Sequence, residues 1–135
     1  MQPTRFLSHG SPMLPLMKAP AGDFLAGLGP WIAERFGKPS AILVASAHRE
    51  TAEPTVSAPA VNAAIHDFAG FPKALFDLRY NPPGDAKLAE RVSNLLCAAG
   101  LPCRTDPERG LDHGAWVPLP MAWPNAGIPV AQISL

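Results

Sequence analysis

Four histidines, each beside serine, glycine, alanine or aspartate, are the residues of this chain best suited to chemistry. They stand in the stretches SHGSPM (His9), SAHRE (His48), IHDFAGF (His66) and GLDHGAW (His113). A neutral imidazole binds Zn²⁺ or Fe²⁺ well, and it also serves as a general base or a structural residue that satisfies loop carbonyls. Catalytic zinc takes three protein ligands and non-haem iron takes two histidines with a carboxylate, so two histidines alone do not complete a site.

The apolar runs that precede His9 and His48 predict that these two side chains share one edge of a sheet. His9 follows Arg5-Phe6-Leu7, which we interpret as a short strand. His48 follows Ser40 to Ser46, an unalternated apolar run typical of a strand buried on both faces. Ligands bind outside the carboxyl ends of the strands in an open parallel sheet. We therefore expect His9 and His48 to lie together, as metal ligands or as structural histidines.

His66 and His113 lie in glycine-rich loops, which commonly hold functional side chains on a rigid scaffold. Asp67 follows His66 and Asp112 precedes His113. A role in substrate binding or proton transfer competes with simple loop bracing, above all for His66. Serine–histidine hydrolysis is disfavoured because no G-x-S-x-G turn exists. The neighbouring aromatic residues would form either core or a pocket for an aromatic substrate: Phe68, Phe71 and Trp116.

The remaining periodicities predict helices that alternate with strands. One helix runs from a cap at Asp23 to Gly37 with Pro30 distorting or splitting it, and a second runs from Asp85 to Gly100. Further extended segments are expected in three stretches: Thr51 to Ala60, Leu101 to Thr105 and Ile128 to Leu135. The pattern predicts a three-layer α/β fold with a mostly parallel sheet and helices on both faces.

Composition limits the class of partner. The 135 residues suit a single domain, and 11 basic residues balance 11 acidic ones, which disfavours nucleic-acid binding. No apolar run is long enough to cross a bilayer and no signal peptide is evident, so we expect a cytoplasmic protein without membrane contact. The spacing of Cys97 and Cys103 fits neither a zinc motif nor a secreted disulfide framework, so we expect reduced thiols.

The last stretch of the sequence, IPVAQISL, has a strand pattern with no helix after it. We expect the sheet to be incomplete at this C-terminus and the chain to be a truncated form. An unpaired strand edge also favours association with a second copy or with a complementing chain.

Five collinear motifs resemble the N-terminal half of the DODA-type (4,5-DOPA) extradiol dioxygenases, in the LigB superfamily of class III ring-cleaving dioxygenases. They are SHGSPM, SAH, IHDFAGFP, GLDHGAWVPL and IPVAQISL, and the similarity covers essentially all 135 residues. The resemblance implies an enzyme that opens a catechol-type ring with O₂ and a non-haem divalent metal, Fe²⁺ or alternatively Zn²⁺.

The resemblance also assigns roles to residues. It implies metal ligation by His9 and His48 and a substrate or proton-handling role for His66 and His113. We also expect Asp112 and Phe68 to lie beside the substrate. Arg49 stands where this family usually has an aromatic residue. Family members are about twice as long, and their further metal ligands lie in the other half. The alternative is a non-catalytic LigB-like module that binds a metal or ligand and associates with itself or a second subunit.

Overall fold

A computed structural model describes residues 1–135 and shows an open four-stranded sheet. The strands are β1 (Ile42–Ala45), β2 (Thr55–Ser57), β3 (Arg104–Asp106) and β4 (Val130–Ile133), in the order β1-β4-β2-β3. β4 runs parallel to β1 and antiparallel to β2, and β2 runs parallel to β3. The predicted α/β class is confirmed, and two of the three pairings are parallel.

Five helices and one 3₁₀ turn connect or cover the strands. Helix α3 begins where the sequence predicts, because the Asp85 side chain accepts a hydrogen bond from the Leu88 amide at 2.9 Å and caps the first turn. The helices are α1 (Pro20–Phe36), α2 (Lys73–Phe76), α3 (Ala86–Ala98), α4 (His113–Trp116) and α5 (Pro118–Ala122), with the 3₁₀ turn at Leu14–Leu16.

Two apolar clusters lie on opposite faces of the sheet, as the alternation of side chains along β4 requires. Val130 belongs to the larger cluster, which includes residues of α1, α4 and α5, and the neighbouring Ala131 belongs to the smaller one, under α3. Both residues are fully buried. Helices therefore cover both faces, as predicted.

The prediction that β1 is buried on both faces is wrong. Ile42 and Val44 pack against the larger cluster, but Leu43 points to the other face and is 44% exposed. Helix α3 packs on β2, β3 and β4, which leaves the face of β1 around Leu43 uncovered. An unalternated apolar run cannot distinguish such an edge strand from a central one.

Two further predictions are corrected. Residues 5–7 form no strand, and Phe6 is 100% exposed, so His9 follows irregular chain. Helix α1 begins at Pro20 instead of being capped by Asp23, which lies in the first turn, and it continues through Pro30. Pro30 and Ala26, the residue whose carbonyl loses its backbone donor, are both exposed, so the missing bond falls on the outer side of the helix.

Two further observations concern the cysteines and the helices. Cys97 and Cys103 are free thiols. No helix has both the length and the apolar character that crossing a membrane requires.

Candidate metal centre

Three of the four histidines converge at one end of the sheet. The ring nitrogens that His9, His48 and His113 offer all lie within 4.8 Å of one another, and His9 Nε2 lies 2.9 Å from His48 Nε2. The rings of His48 and His113 are 3.8 Å apart between centroids. The sequence predicted the proximity of His9 and His48, and the structure adds His113 to the pair.

A tight turn positions His9. Gly10 has a φ of 65°, a left-handed conformation that glycine adopts without strain. The chain then enters the 3₁₀ turn, in which the Leu14 amide donates to the Ser11 carbonyl at 2.9 Å. Leu14 is buried in the larger core cluster, so this turn fixes the loop that carries His9 to the body of the fold.

His48 lies on the turn that leaves β1, and a buried hydrogen-bond network lies beneath that turn. The Ser46 hydroxyl accepts from the His48 amide at 3.2 Å and donates to Asp112 Oδ1 at 2.7 Å. Asp112 is fully buried, and it also accepts from the Gly114 amide at 3.0 Å and from the side-chain amide of Gln132. This network ties the turn after β1 to the start of α4 and to β4.

The network also defines the surroundings of Asp112. Its two oxygens are occupied by Ser46, Gly114 and Gln132. Asp112 thus holds the turn that carries His48, and its place beside the substrate stays a prediction. Gly114 completes this packing, because a Cβ there would overlap the Ser46 hydroxyl and lie 3.0 Å from His48 Cδ2.

A pairing between two loops brings Asp67 to His113. Ala64 and Leu111 form a parallel bridge, in which the Ile65 amide donates to the Leu111 carbonyl at 2.8 Å. Gly110 permits this approach, since a Cβ there would overlap the carbonyl of Ala63. As a result, Asp67 Oδ1 lies 2.6 Å from His113 Nδ1.

His66 lies apart from the other three histidines, in an aromatic cluster. Its ring centroid is 5.1 Å from that of Trp116 and 5.9 Å from that of Phe68. Phe68 in turn lies 5.5 Å from the ring of His113 and 5.2 Å from Phe71. The aromatic residues singled out in the sequence thus form one wall next to His113, with His66 inside it.

Electrostatics favour a neutral imidazole at His9 and a carboxylate at Asp67. Burial lowers the pKa of His9, repulsion from His113 and His48 lowers it further, and the opposing effects of Gly10 and Asp112 are smaller. Burial acts to raise the pKa of Asp67, but hydrogen bonds from His113 and from its own backbone outweigh this effect and leave the pKa below its usual value. Because a carboxylate only accepts, His113 Nδ1 donates to Asp67.

The donor set fits a divalent metal of the zinc or ferrous type. With metal–nitrogen bonds of about 2.0–2.1 Å, two nitrogens on one ion lie about 2.9–3.4 Å apart, depending on the bond angle. The separation of 2.9 Å between His9 Nε2 and His48 Nε2 lies in this range. The neutral form favoured at His9 is also the form that ligates.

A second set of charged residues lies beside His48. Arg49 is 3% exposed, and its guanidinium donates to the Gln132 carbonyl at 2.9 Å and to Asp106 at 3.3 Å. Burial chiefly, and then repulsion from Arg109, lowers the pKa of Arg49, while Asp106 and Asp112 oppose this effect. A larger hollow, of about 350 Å³, lies along α3 and contains none of the histidines; it is lined by Lys87, Glu90, Arg91, Asn94 and Leu95.

Comparison with known proteins defines the class to which this fold and site belong. Residues 3–135 match the family described as the catalytic LigB subunit of aromatic ring-opening dioxygenase. The chain therefore belongs to the LigB family.

Individual relatives agree with this assignment. The chain is 46% identical over 135 residues to a 4,5-DOPA dioxygenase extradiol of Beta vulgaris, covering 98% of this chain and 49% of that protein. It is 41% identical over 134 residues to the 4,5-DOPA dioxygenase extradiol of Escherichia coli K12, covering 98% of this chain and 47% of that protein. The chain spans about half the length of these curated relatives.

A solved structure shares the fold. The crystal structure of an uncharacterized protein from Escherichia coli K12 superposes with a TM-score of 0.66 at 31% identity, covering 87% of this chain and 41% of that one. The resemblance noted in the sequence is thus confirmed at the level of family and fold.

Three residues of this site were not predicted from the sequence. Asp67 was noted only as the neighbour of His66, although it contacts His113. Ser46 and Gln132 were assigned to strands without a role. The one available signal was Gln132 itself, an amide in the middle of an apolar strand, because a buried polar side chain needs a partner.

Proposed function

We propose that this chain forms the N-terminal part of an extradiol dioxygenase that opens catechol-type rings, with a non-haem divalent metal held by His9 and His48. The observation that carries the proposal is the 2.9 Å separation of the two ring nitrogens within a cluster of three histidines. Family membership and the names of the relatives support the reaction class. We assign residues 1–135 to one unit of the catalytic domain.

Ferrous iron is the metal that the proposed chemistry favours, with Zn²⁺ as the alternative that the same imidazoles accept. When bound, a divalent metal lowers the pKa of the catechol hydroxyls and brings ring and O₂ together. Both atoms of O₂ enter the opened ring, so no external reductant is needed. We place this chemistry in the cytoplasm, where free thiols such as Cys97 and Cys103 stay reduced.

His113 is suited to take a proton from the catechol. Its Nδ1 donates to Asp67, which leaves the lone pair of Nε2 free and stabilises the positive charge that arises when Nε2 accepts a proton. Phe68, 5.5 Å from His113, offers an aromatic surface for the ring, and His66 lines the same wall. Asp112 helps to position His48 and His113, because it accepts hydrogen bonds from the Ser46 hydroxyl and the Gly114 amide, which lie next to these histidines in the chain.

An anaerobic titration of the purified chain with Fe²⁺ tests the metal site. We expect one ion per chain, and a loss of that binding in the His9→Ala, His48→Ala double variant. His66→Ala is the matched control, because it removes an imidazole outside the cluster, and its metal affinity should equal that of the unaltered chain. Equal binding by the double variant would contradict the site.

Exposure of the iron-loaded chain to O₂ and L-DOPA, in a mixture with the C-terminal half of the Escherichia coli K12 relative that this chain does not cover, tests the reaction. We expect O₂ and catechol to disappear in equal amounts, with His113→Ala retaining metal but losing this reaction. Loss of metal in His113→Ala, to the extent seen in the double variant, would make His113 a third ligand and overturn its proton role. Metal binding without O₂ consumption would overturn the enzyme and favour the non-catalytic module.

A further inference from the structure

Helix α1 carries a row of four exposed residues on its outer side. Asp23, Gly27, Trp31 and Arg35 follow one another at intervals of four residues, which places them along one side of a helix. All four are exposed, and the buried residues of α1 lie at other positions. This outer row therefore faces away from the core and is free to contact another molecule.

The middle of the outer row combines a bulky side chain with a site that has no side chain. Trp31 is 36% exposed, and Phe24, which lies beside the row, is 60% exposed. Nothing lies within 4 Å of the position that a Cβ would take on Gly27, so a large side chain from another molecule can approach the helix backbone there. Aromatic side chains are enriched in protein interfaces. Trp31 and Gly27 are thus complementary in size and lie one helical turn apart.

The two ends of the outer row carry opposite charges that are unpaired within the chain. Asp23 lies in the first turn of α1 and Arg35 in the last turn, and neither forms an ion pair with another residue of the chain. The guanidinium groups of Arg35 and Arg5 lie over the Trp31 ring, 5.4 and 5.0 Å from its centroid. One end of the row therefore has two cations beside an exposed indole, and the carboxylate that would balance a cation lies at the other end of the same helix.

We propose that the outer row of α1 binds the same row of a second copy of this chain, with the two helices antiparallel. The row has its sequence midpoint at Gly29, so an antiparallel copy that shares this midpoint places its Arg35 opposite Asp23 and its Trp31 opposite Gly27. Each contact occurs twice, because a twofold interface uses the same surface of both copies. Rows of residues four apart pack together in the commonest class of helix–helix contact. This surface differs from the free edge of β1, and the inference does not depend on the reaction proposed for the histidines.

Sedimentation equilibrium of the 135-residue chain over a range of protein concentrations tests this interface. We expect a dimer whose fraction rises with concentration. Asp23→Lys and Arg35→Glu should each weaken self-association about tenfold or more, because like charges then face each other at both ends of the interface. Gly27→Gln should weaken it as well, since the added side chain takes the place of the second copy's Trp31. Circular dichroism should show the same helix content in all these variants, because the altered side chains lie on the exposed side of α1.

A mixture of the Asp23→Lys and Arg35→Glu variants tests the antiparallel register. In a dimer of one variant with the other, each end again joins a cation to a carboxylate, so the mixture should dimerise about as tightly as the unaltered chain. Leu43→Arg, on the exposed face of β1, is the matched control and should also dimerise like the unaltered chain. A chain that is monomeric at every concentration, single variants that dimerise normally, or a mixture that stays monomeric would each overturn the proposal. Loss of the dimer in Leu43→Arg would overturn it too, because the interface would then lie at the sheet edge.

Discussion

His113 Nδ1 lies 2.6 Å from Asp67 Oδ1, and this contact determines which nitrogen His113 turns toward His9 and His48. The pKa of Asp67 lies below its usual value, so the carboxylate accepts and the imidazole carries its proton on Nδ1. Asp67 therefore sets the tautomer of His113, the histidine that lies beside the proposed metal ligands His9 and His48.

Replacement of Asp67 by alanine should remove the tautomer preference of His113. We expect nitrogen NMR of the unaltered chain to show the proton of His113 on Nδ1, and Asp67→Ala to give a mixture of the two tautomers. The rate of catechol-dependent O₂ consumption should fall about 10²-fold or more with metal stoichiometry unchanged, because general-base catalysis contributes about 10²–10⁴-fold. Asp67→Asn is the matched control: its amide oxygen still accepts from Nδ1, so a mixture of tautomers there would contradict this account.

Replacement of Gly114 by alanine should destabilise the fold at the base of the site. The added Cβ would overlap the Ser46 hydroxyl and press on His48 and Asp112, at 3.0 and 3.1 Å. We expect a loss of about 1–3 kcal/mol in the free energy of unfolding, as for other overpacked sites.

Gly27→Ala, in α1, is the control for Gly114→Ala, because nothing lies within 4 Å of its Cβ position. Alanine replaces glycine in a helix with a gain of about 0.5–1 kcal/mol. Urea denaturation measures both variants. Equal free energies of unfolding for Gly114→Ala and Gly27→Ala would contradict this prediction, because they would mean that the backbone moves to accommodate the Cβ at residue 114.

The hydroxyl of Ser46 should contribute measurably to stability. It donates to the buried carboxylate of Asp112 at 2.7 Å, and hydrogen bonds to charged groups contribute about 1.5–3 kcal/mol. Ser46→Ala should therefore lower the urea midpoint, whereas Ser40→Ala, at an exposed position, should change the free energy of unfolding by no more than about 0.5 kcal/mol. An unchanged midpoint in Ser46→Ala would show that another donor takes its place.

Tyr80 should titrate well above the usual tyrosine range. Its side chain is buried, its hydroxyl donates to the Trp123 carbonyl at 3.1 Å, and burial raises its pKa to about 12. The pKa of a tyrosine in an unfolded chain is about 10. The buried, neutral Tyr80 therefore contributes fully to stability below pH about 10, and this contribution is lost as the pH rises toward about 12.

Tyr80 is the single tyrosine of the chain, so the ultraviolet absorbance of tyrosinate reports it alone. We expect Tyr80 to ionise with its raised pKa, or at the pH at which circular dichroism shows that the chain unfolds. A midpoint near 10 with unchanged circular dichroism would contradict the burial of the hydroxyl.

The sequence predicted the fold class and most elements because those depend on local patterns. The cap at Asp85 and the strand before His48 are examples. The exposure of Leu43 was not predictable, because it depends on which strands α3 covers. His9 was placed correctly beside His48, although the strand inferred before it does not exist.

The site was predictable only in part for a similar reason. The contact of His113 with Asp67 depends on the bridge between Ala64 and Leu111, two loops far apart in sequence. The support from Gln132 depends on the position of β4 in the sheet. Neither relation leaves a periodic signal, since each is set by tertiary pairing.

The position of β4 also imposes an order on folding. It follows β1, β2 and β3 in sequence, yet it lies between β1 and β2, with Ile42 paired to Val130. Among these four strands β1 has no other neighbour, and closing so long a loop is slow because its entropy is lost before the contacts form. Asp112 also lacks the amide of Gln132 until β4 is in place. We therefore expect the histidines to come together only after β4 has paired with β1.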